Sequence, residues 1–234
     1  MPQLDRPRRD ALVRACFRHF GASLIDSISL GRFDAEGICK RISLEGWEHL
    51  EAARQDETGT LIVTAHLGNW ELIGYALALY KGTTHVVARP THNPLVERDL
   101  VRFRERFGNR TIYKRGAARK MLAALREGGR VAYVIDQRVH PNEGIETPFF
   151  GQPSFTSPLL AGLSLRTGAA VVPMFAYPEP PDRFRIVVEP PIEPVAEGPD
   201  PRRALTLRYL EVIEAAIRER PEMWLWMHER WRKH

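Results

Sequence analysis

Residues 64–71 read Thr64-Ala65-His66-Leu67-Gly68-Asn69-Trp70-Glu71, with a histidine and a carboxylate five positions apart. A carboxylate bonded to one ring nitrogen of an imidazole fixes the tautomer and makes the other nitrogen more basic. Such a pair takes a proton from a hydroxyl or from water. Neither regular element brings the two together: on a strand they fall on opposite faces, and on a helix about 140° apart. A turn through Gly68 does, because glycine accepts the backbone angles of a tight bend. The spacing by itself is common. Eight histidines and 29 acids give about one such pair by chance, and His92 with Glu97 repeats it. Context separates them. His66 lies between a β-branched run and an apolar helical one, whereas His92 lies in a loop between Pro90 and Pro94. The alternative for His66 is a satisfied histidine packed at a strand end.

Other side chains stand at comparable junctions. Asp136 ends the apolar segment 131–135, on the rim where α/β sheets bind ligands; its alternative is a loop-capping aspartate. On a helix over 97–107, Leu100, Phe103 and Phe107 share a face and Arg104 lies beside it. An arginine there either snorkels to water or meets an anion. Arg89, at the end of another strand, is a phosphate or carrier contact, or a salt bridge. Gln137 and Asn69 are further candidates for substrate binding, and Asn69 with Trp70 also reads as capping and packing a helix. GxSxG, HExxH, P-loop and GxGxxG patterns are absent. Cys16 and Cys39 form no CxxC or metal-type cluster. No metal and no cofactor are expected.

The elements that must position these residues alternate. Helices are expected over 11–30 (amphipathic, with a weak point at Gly21), 43–55 (capped by Ser43), 70–80, 95–107, 116–127, 157–167 and 202–219. Strands are expected over 60–65, 84–89, 130–135, 169–175 and 184–188, with a loop around Pro141, Pro148 and Pro153. That alternation implies an α/β fold, a sheet layered by helices. The chain has 234 residues, 44% of them hydrophobic and 27% charged, which excludes a disordered, collagenous or disulfide-built protein. Two cysteines make a reduced, intracellular chain the default. The longest apolar run is about nine residues, too short to span a membrane, and no signal peptide opens the chain. A net charge of +5 favours anionic partners: nucleic acid, phosphorylated lipid or an acidic carrier.

The run His66-Leu67-Gly68-Asn69-Trp70-Glu71-Leu72 resembles the His-x4-Asp/Glu signature of the late acyltransferases of lipid A biosynthesis, within the wider glycerolipid acyltransferase group. The segment 88–95, containing Arg89-Pro90 and Asn93-Pro94-Leu95, resembles that family's RPxxNPL element. Arg102-Phe103-Arg104, Asp136-Gln137, the segments 147–151 and 166–169, and the tryptophan-rich 221–231 resemble further family elements, in order, across about 14–232. The resemblance implies a mixed central sheet flanked by helices, glycerolipid-acyltransferase-like. It also implies one acyltransferase domain over 1–234, with an amphipathic helical segment over about 8–56 packed on it or leading into it.

The implied reaction moves a fatty acyl chain from an acyl-carrier-protein or CoA thioester to a hydroxyl of a membrane lipid, such as a lipid A precursor. A lysophospholipid, glycolipid or aminolipid is the alternative acceptor. On this reading His66 deprotonates the hydroxyl, Glu71 orients His66, and no acyl-enzyme forms. Arg104 meets the thioester oxyanion or a phosphate, and Asp136 shapes Arg104 or the acceptor. An acyl pocket would draw on 72–80 or 159–165. A thioesterase or esterase using the same base on water, and a non-catalytic lipid binder, are the competing classes. Nucleic acid is not an expected partner, since no recognisable module carries a basic stripe. Members of the family begin with a transmembrane helix and a longer N-terminal region, and this chain starts near where such an anchor ends. The expected location is the bacterial cytoplasm, peripheral on the inner membrane's cytoplasmic face. The 11–30 helix either lies on that surface or packs on the domain. Trp224, Trp226 and Trp231, near Arg230, Arg232 and Lys233, are interfacial anchors or core.

Overall fold

The computed structural model describes residues 4–53, 58–114, 116–194 and 198–232. Residues 54–56 of the expected N-terminal segment, and Lys233, lie outside them. Helix α1 (Arg6–Leu30) begins where Asp5 accepts from the Arg8 amide at 2.9 Å, with Pro7 in the first turn. It therefore starts earlier than the apolar pattern predicts, and it runs unbroken through Gly21. After α2 (Ala35–Cys39), the expected 43–55 helix resolves into strand β1 (Ile42–Glu45) and short helix α3 (Trp47–Ala52). Ser43 is a strand residue paired with Arg185, not a cap. Gly46, at φ 69°, makes the turn, and a Cβ there would lie 2.2 Å from the Val188 carbonyl oxygen.

The regular alternation then runs β2 (Thr60–Thr64), α4 (Glu71–Lys81), β3 (Thr84–Ala88), α5 (Pro94–Glu105), β4 (Arg110–Tyr113), α6 (Ala117–Arg126) and β5 (Arg130–Val134). A hairpin, β6 (Ile145–Phe149) and β7 (Gln152–Thr156), occupies the region expected as loop. Helix α7 (Leu159–Thr167), strands β8 (Val171–Glu179) and β9 (Arg183–Val188), and helix α8 (Pro201–Glu219) complete the order.

Seven strands form one sheet in the order β1-β9-β8-β2-β5-β3-β4. Every pairing in it is parallel except β8 with β9. The fold is thus the expected α/β type, a mixed sheet flanked by helices. Strand β2 is central and buried along its whole length, as a strand covered on both faces must be. Its side chains alternate between two cores. Leu61 and Val63 pack with α6, α7 and α8, while Ile62 packs with Leu72, Tyr75 and Ala76 of α4. Each such aliphatic side chain contributes about 1.5–3 kcal/mol on burial.

Candidate active site

Strands β2 and β5 are neighbours in register, Thr64 opposite Val134. Two residues past each strand end, His66 and Asp136 therefore emerge side by side at the carboxyl edge of the sheet. His66 Nδ1 lies 2.8 Å from Asp136 Oδ1, and the His66 backbone N–H donates to Asp136 Oδ2 at 2.9 Å. Trp224 Nε1 donates to the same Oδ2 at 2.7 Å. Three N–H groups thus converge on a carboxylate that is 1% exposed. The carboxylate that orients His66 is Asp136, not Glu71. Asp136 is sealed behind the imidazole, and the side chains bonded to it are His66 and Trp224, not Arg104.

The electrostatics follow the geometry. Burial pulls the His66 imidazole down and the Arg104 charge adds to that. The Asp136 charge and hydrogen bond, reinforced by Glu71, outweigh both and leave it above its ordinary value. Burial pushes Asp136 up, but His66 and the donated hydrogen bonds hold it below the usual carboxylate value. The imidazole is therefore oriented through Nδ1–H, which leaves Nε2 as the nitrogen that can accept a proton.

Gly68 makes the turn that the sequence predicts, at φ 63°. A Cβ there would sit 2.0 Å from the Ala176 carbonyl oxygen, so the loop presses directly on β8. The C-terminal segment clamps the same loop: Gly68 N–H donates to Met223 O at 3.0 Å, and Leu225 N–H to His66 O at 3.1 Å. From the other side, His19 Nε2 of α1 lies 3.3 Å from Gly68 O. Trp224 is 1% exposed, Trp226 Nε1 donates to Pro221 O, and Trp231 Nε1 to Phe149 O. Of the two readings of these tryptophans, the structure bears out packing. Trp224 was not legible as a site residue, because nothing local in 221–231 shows that it returns to a strand end 88 residues earlier.

Glu71 opens α4 and turns toward α5, where it forms a fork with Arg104; Arg104 Nε donates to Oε2 at 2.9 Å and Nη2 to Oε1. Burial of the pair works against the Arg104 charge, but the Glu71 hydrogen bonds and charge outweigh it and hold Arg104 above its ordinary value. Phe103, on the neighbouring position of α5, stacks on Tyr75 of α4 at 4.5 Å and fixes the two helices that carry the fork.

His66, Glu71, Arg104, Arg89 and Gln137 all line one cavity of about 230 Å³. Gln137 Nε2 lies 3.4 Å from His66 Nε2, at the imidazole end of the cavity. Trp70 covers the imidazole edge-on, 5.0 Å between rings. Beyond them the walls are Ile73, Val86, Ala88, Ala132 and Val134. Of the two segments expected to supply an acyl pocket, 72–80 contributes Ile73 and Gly74, whereas 159–165 contributes nothing to this cavity. Arg89, Lys114 and Arg138 line the cavity too, Lys114 paired with Glu143. Asn69 is not in the cavity. It is buried, its Nδ2 3.5 Å from Ser27 Oγ of α1, and its backbone N–H donates to Ala176 O. It packs the turn and does not line the cavity. His92 lies in a separate surface hollow beside Pro90 and Pro94, with Glu97 bonded to the Thr91 amide and Tyr113.

Among the described residues, no group of three or more His, Cys, Asp or Glu is placed to hold a metal ion. No described helix is long and apolar enough to cross a membrane.

Comparison with known proteins adds the family. The palmitoleoyltransferase of lipid A biosynthesis from Escherichia coli is 25% identical over 233 residues, covering 99% of this chain and 74% of that protein. A phosphatidylinositol mannoside acyltransferase from Mycobacterium tuberculosis is 26% identical over 173 residues, 72% of this chain and 55% of that one. A solved 1-acyl-sn-glycerophosphate acyltransferase from Thermotoga maritima superposes with a TM-score of 0.46 at 15% identity, over 94% of this chain and 99% of its own. The sequence profile of the bacterial lipid A biosynthesis acyltransferases matches residues 1–233, and this chain belongs to that family, an O-acyltransferase.

Proposed function

We propose that the protein transfers a fatty acyl chain from a thioester, carried by acyl carrier protein or CoA, to a hydroxyl of a membrane lipid or glycolipid. The observation that carries this reading is the His66–Asp136 pair opening onto a cavity whose far walls are aliphatic. A positioned base alone would serve many reactions; a base at the head of an apolar cleft suits a substrate with a hydrocarbon chain.

In the proposed step, His66 Nε2 takes the proton of the acceptor hydroxyl as its oxygen attacks the thioester carbonyl. Asp136 holds Nδ1–H and stabilises the imidazolium. Arg104 and Gln137, both lining the cavity, donate toward the oxyanion of the tetrahedral intermediate. Collapse breaks the carbon–sulfur bond, the imidazolium returns its proton to the departing thiolate, and an ester and a thiol are released. No cofactor enters the step. Arg89, Lys114 and Arg138 meet the anionic part of the acceptor or carrier.

Helix α1 supports peripheral attachment to the inner membrane. One face is packed through Cys16, Ser23 and Leu30. A separate stripe, about 110° round the helix, leaves Val13, Phe17, Leu24 and Ile28 exposed at 52–65%. Arg9 and Arg18 are exposed nearby, as contact with anionic lipid requires.

The test is to mix purified protein with an acyl-carrier-protein thioester, a lipid A precursor and a phosphatidylinositol mannoside, and to read products by mass spectrometry. Acylated lipid is expected, and it is lost in His66→Ala. Free fatty acid with no acylated lipid would replace this reading with a hydrolase.

A further inference from the structure

We propose that Asn109 and Gly74 form the floor of the cavity and set the length of acyl chain the enzyme accepts. The inference rests on the acyl-transfer reading above and concerns its chain specificity.

The cavity runs between α4 and the sheet. Gly74 and Val86 sit inside their elements, yet each is only partly buried. Mid-element residues keep such exposure when they border an open void. Gly74 has no side chain to fill it; a Cβ there would lie 3.8 Å from Val86 Cγ2. Ala132, the next wall residue on β5, is also small.

Asn109 closes the far end. It is 3% exposed, its Oδ1 accepts from the Thr84 N–H at 3.0 Å, and its Nδ2 donates to the Gly74 carbonyl at 2.7 Å. The carboxamide thus ties α4 to β3, with both its ends bonded. Swinging it aside would strand a buried amide N–H and a carbonyl, so it acts as a fixed stop. The hypothetical Gly74 Cβ lies 3.3 Å from Asn109 Nδ2, which places both residues at the same narrow end.

The depth follows from the strand. Ala88, which lines the cavity, and Thr84, whose N–H the Asn109 carboxamide holds, are four residues apart, roughly 13 Å at about 3.3 Å per residue. An extended chain of ~1.5 Å bonds advances about 1.3 Å per carbon. Roughly ten carbons fit between the reacting carbonyl and Asn109, so a medium-length chain is expected.

The experiment measures kcat/KM for carrier-protein thioesters of about eight to sixteen carbons, with the lipid A precursor and phosphatidylinositol mannoside supplied together as acceptors. The wild-type profile is expected to peak near ten to twelve carbons. Gly74→Ala and Ala132→Val should raise the short-to-long ratio at least about tenfold, and Asn109→Ala should lower it by a similar factor. If Asn109→Ala does not fold by thermal melt, the Gly74 and Ala132 variants still decide. Folded, active variants with the wild-type ratio would overturn the floor alone. A wild-type protein that transfers no chain of any length would overturn the acyl-transfer reading and the floor with it.

Discussion

Replacing Asp136 with asparagine tests the division of labour in the site. Asp136 accepts three N–H groups: His66 Nδ1 at one oxygen, and the His66 amide and Trp224 Nε1 at the other. Asparagine has a single acceptor oxygen. It settles where two donors converge, which turns its NH2 toward His66 Nδ1. That nitrogen must then accept, so the proton moves to Nε2, the atom that has to receive one from the acceptor hydroxyl. The base is left in the wrong tautomer, and the imidazolium loses its counter-charge. A fall of roughly 10²–10⁴ in turnover is expected, about 2.7–5.4 kcal/mol of transition-state stabilisation. The pH profile carries a second signature. In wild type the base works when neutral, so the acid limb of kcat/KM lies above the ordinary histidine value, where Asp136 holds it. In Asp136→Asn the raising charge is gone while burial remains, so that limb moves to lower pH as the plateau falls. Initial rates of acyl transfer between about pH 5 and 9 measure both. A plateau within about threefold of wild type, or a limb shifted upward, would refute the reasoning.

Four other perturbations probe separate parts of the structure. Glu71→Ala leaves Arg104 half-buried without its partner, whereas Glu71→Ala with Arg104→Ala removes both; urea unfolding should give a coupling of about 0.5–3 kcal/mol between them. Gly68→Ala demands a positive φ of a residue with a Cβ, 2.0 Å from a backbone oxygen, and is expected to lose at least about 1–3 kcal/mol and most activity, read by thermal melt and turnover. Trp224→Phe keeps a ring in the core but removes the N–H on Asp136, costing about 1.5–3 kcal/mol in stability and lowering the rate. Phe17→Glu with Leu24→Glu on the exposed face of α1 should abolish sedimentation with anionic vesicles, while activity on detergent-dispersed substrate stays near wild type.

What the sequence disclosed and what it withheld divide along physical lines. The β2–turn–α4 unit was legible because its signals are local: a β-branched run, a glycine, then an apolar helix. The partner of His66 was not, because it depends on the register of two strands some seventy residues apart, and no spacing rule contains that register. Glu71, at suggestive spacing, is held by an arginine from another helix. The segment of β1 reads as helix because Ser43 is a good cap by type, while the edge pairing with β9 that makes it a strand is long-range. Strand β4 is short, lies at the sheet edge and alternates weakly. The β6–β7 hairpin carries Pro148 opposite Pro153, residues that argue against a strand except in a two-stranded edge pair, where a missing N–H faces outward.

The central claim is that a lipid hydroxyl, deprotonated by His66, takes the acyl chain directly from the thioester. Rapid-quench acyl transfer, with the protein's own mass followed in the same samples, tests it most directly. The account predicts ester formation without a mass gain on the protein, slowed roughly 10²–10⁴-fold in His66→Ala; an acylated protein that forms and decays at the turnover rate, or a His66→Ala variant as fast as wild type, would contradict it.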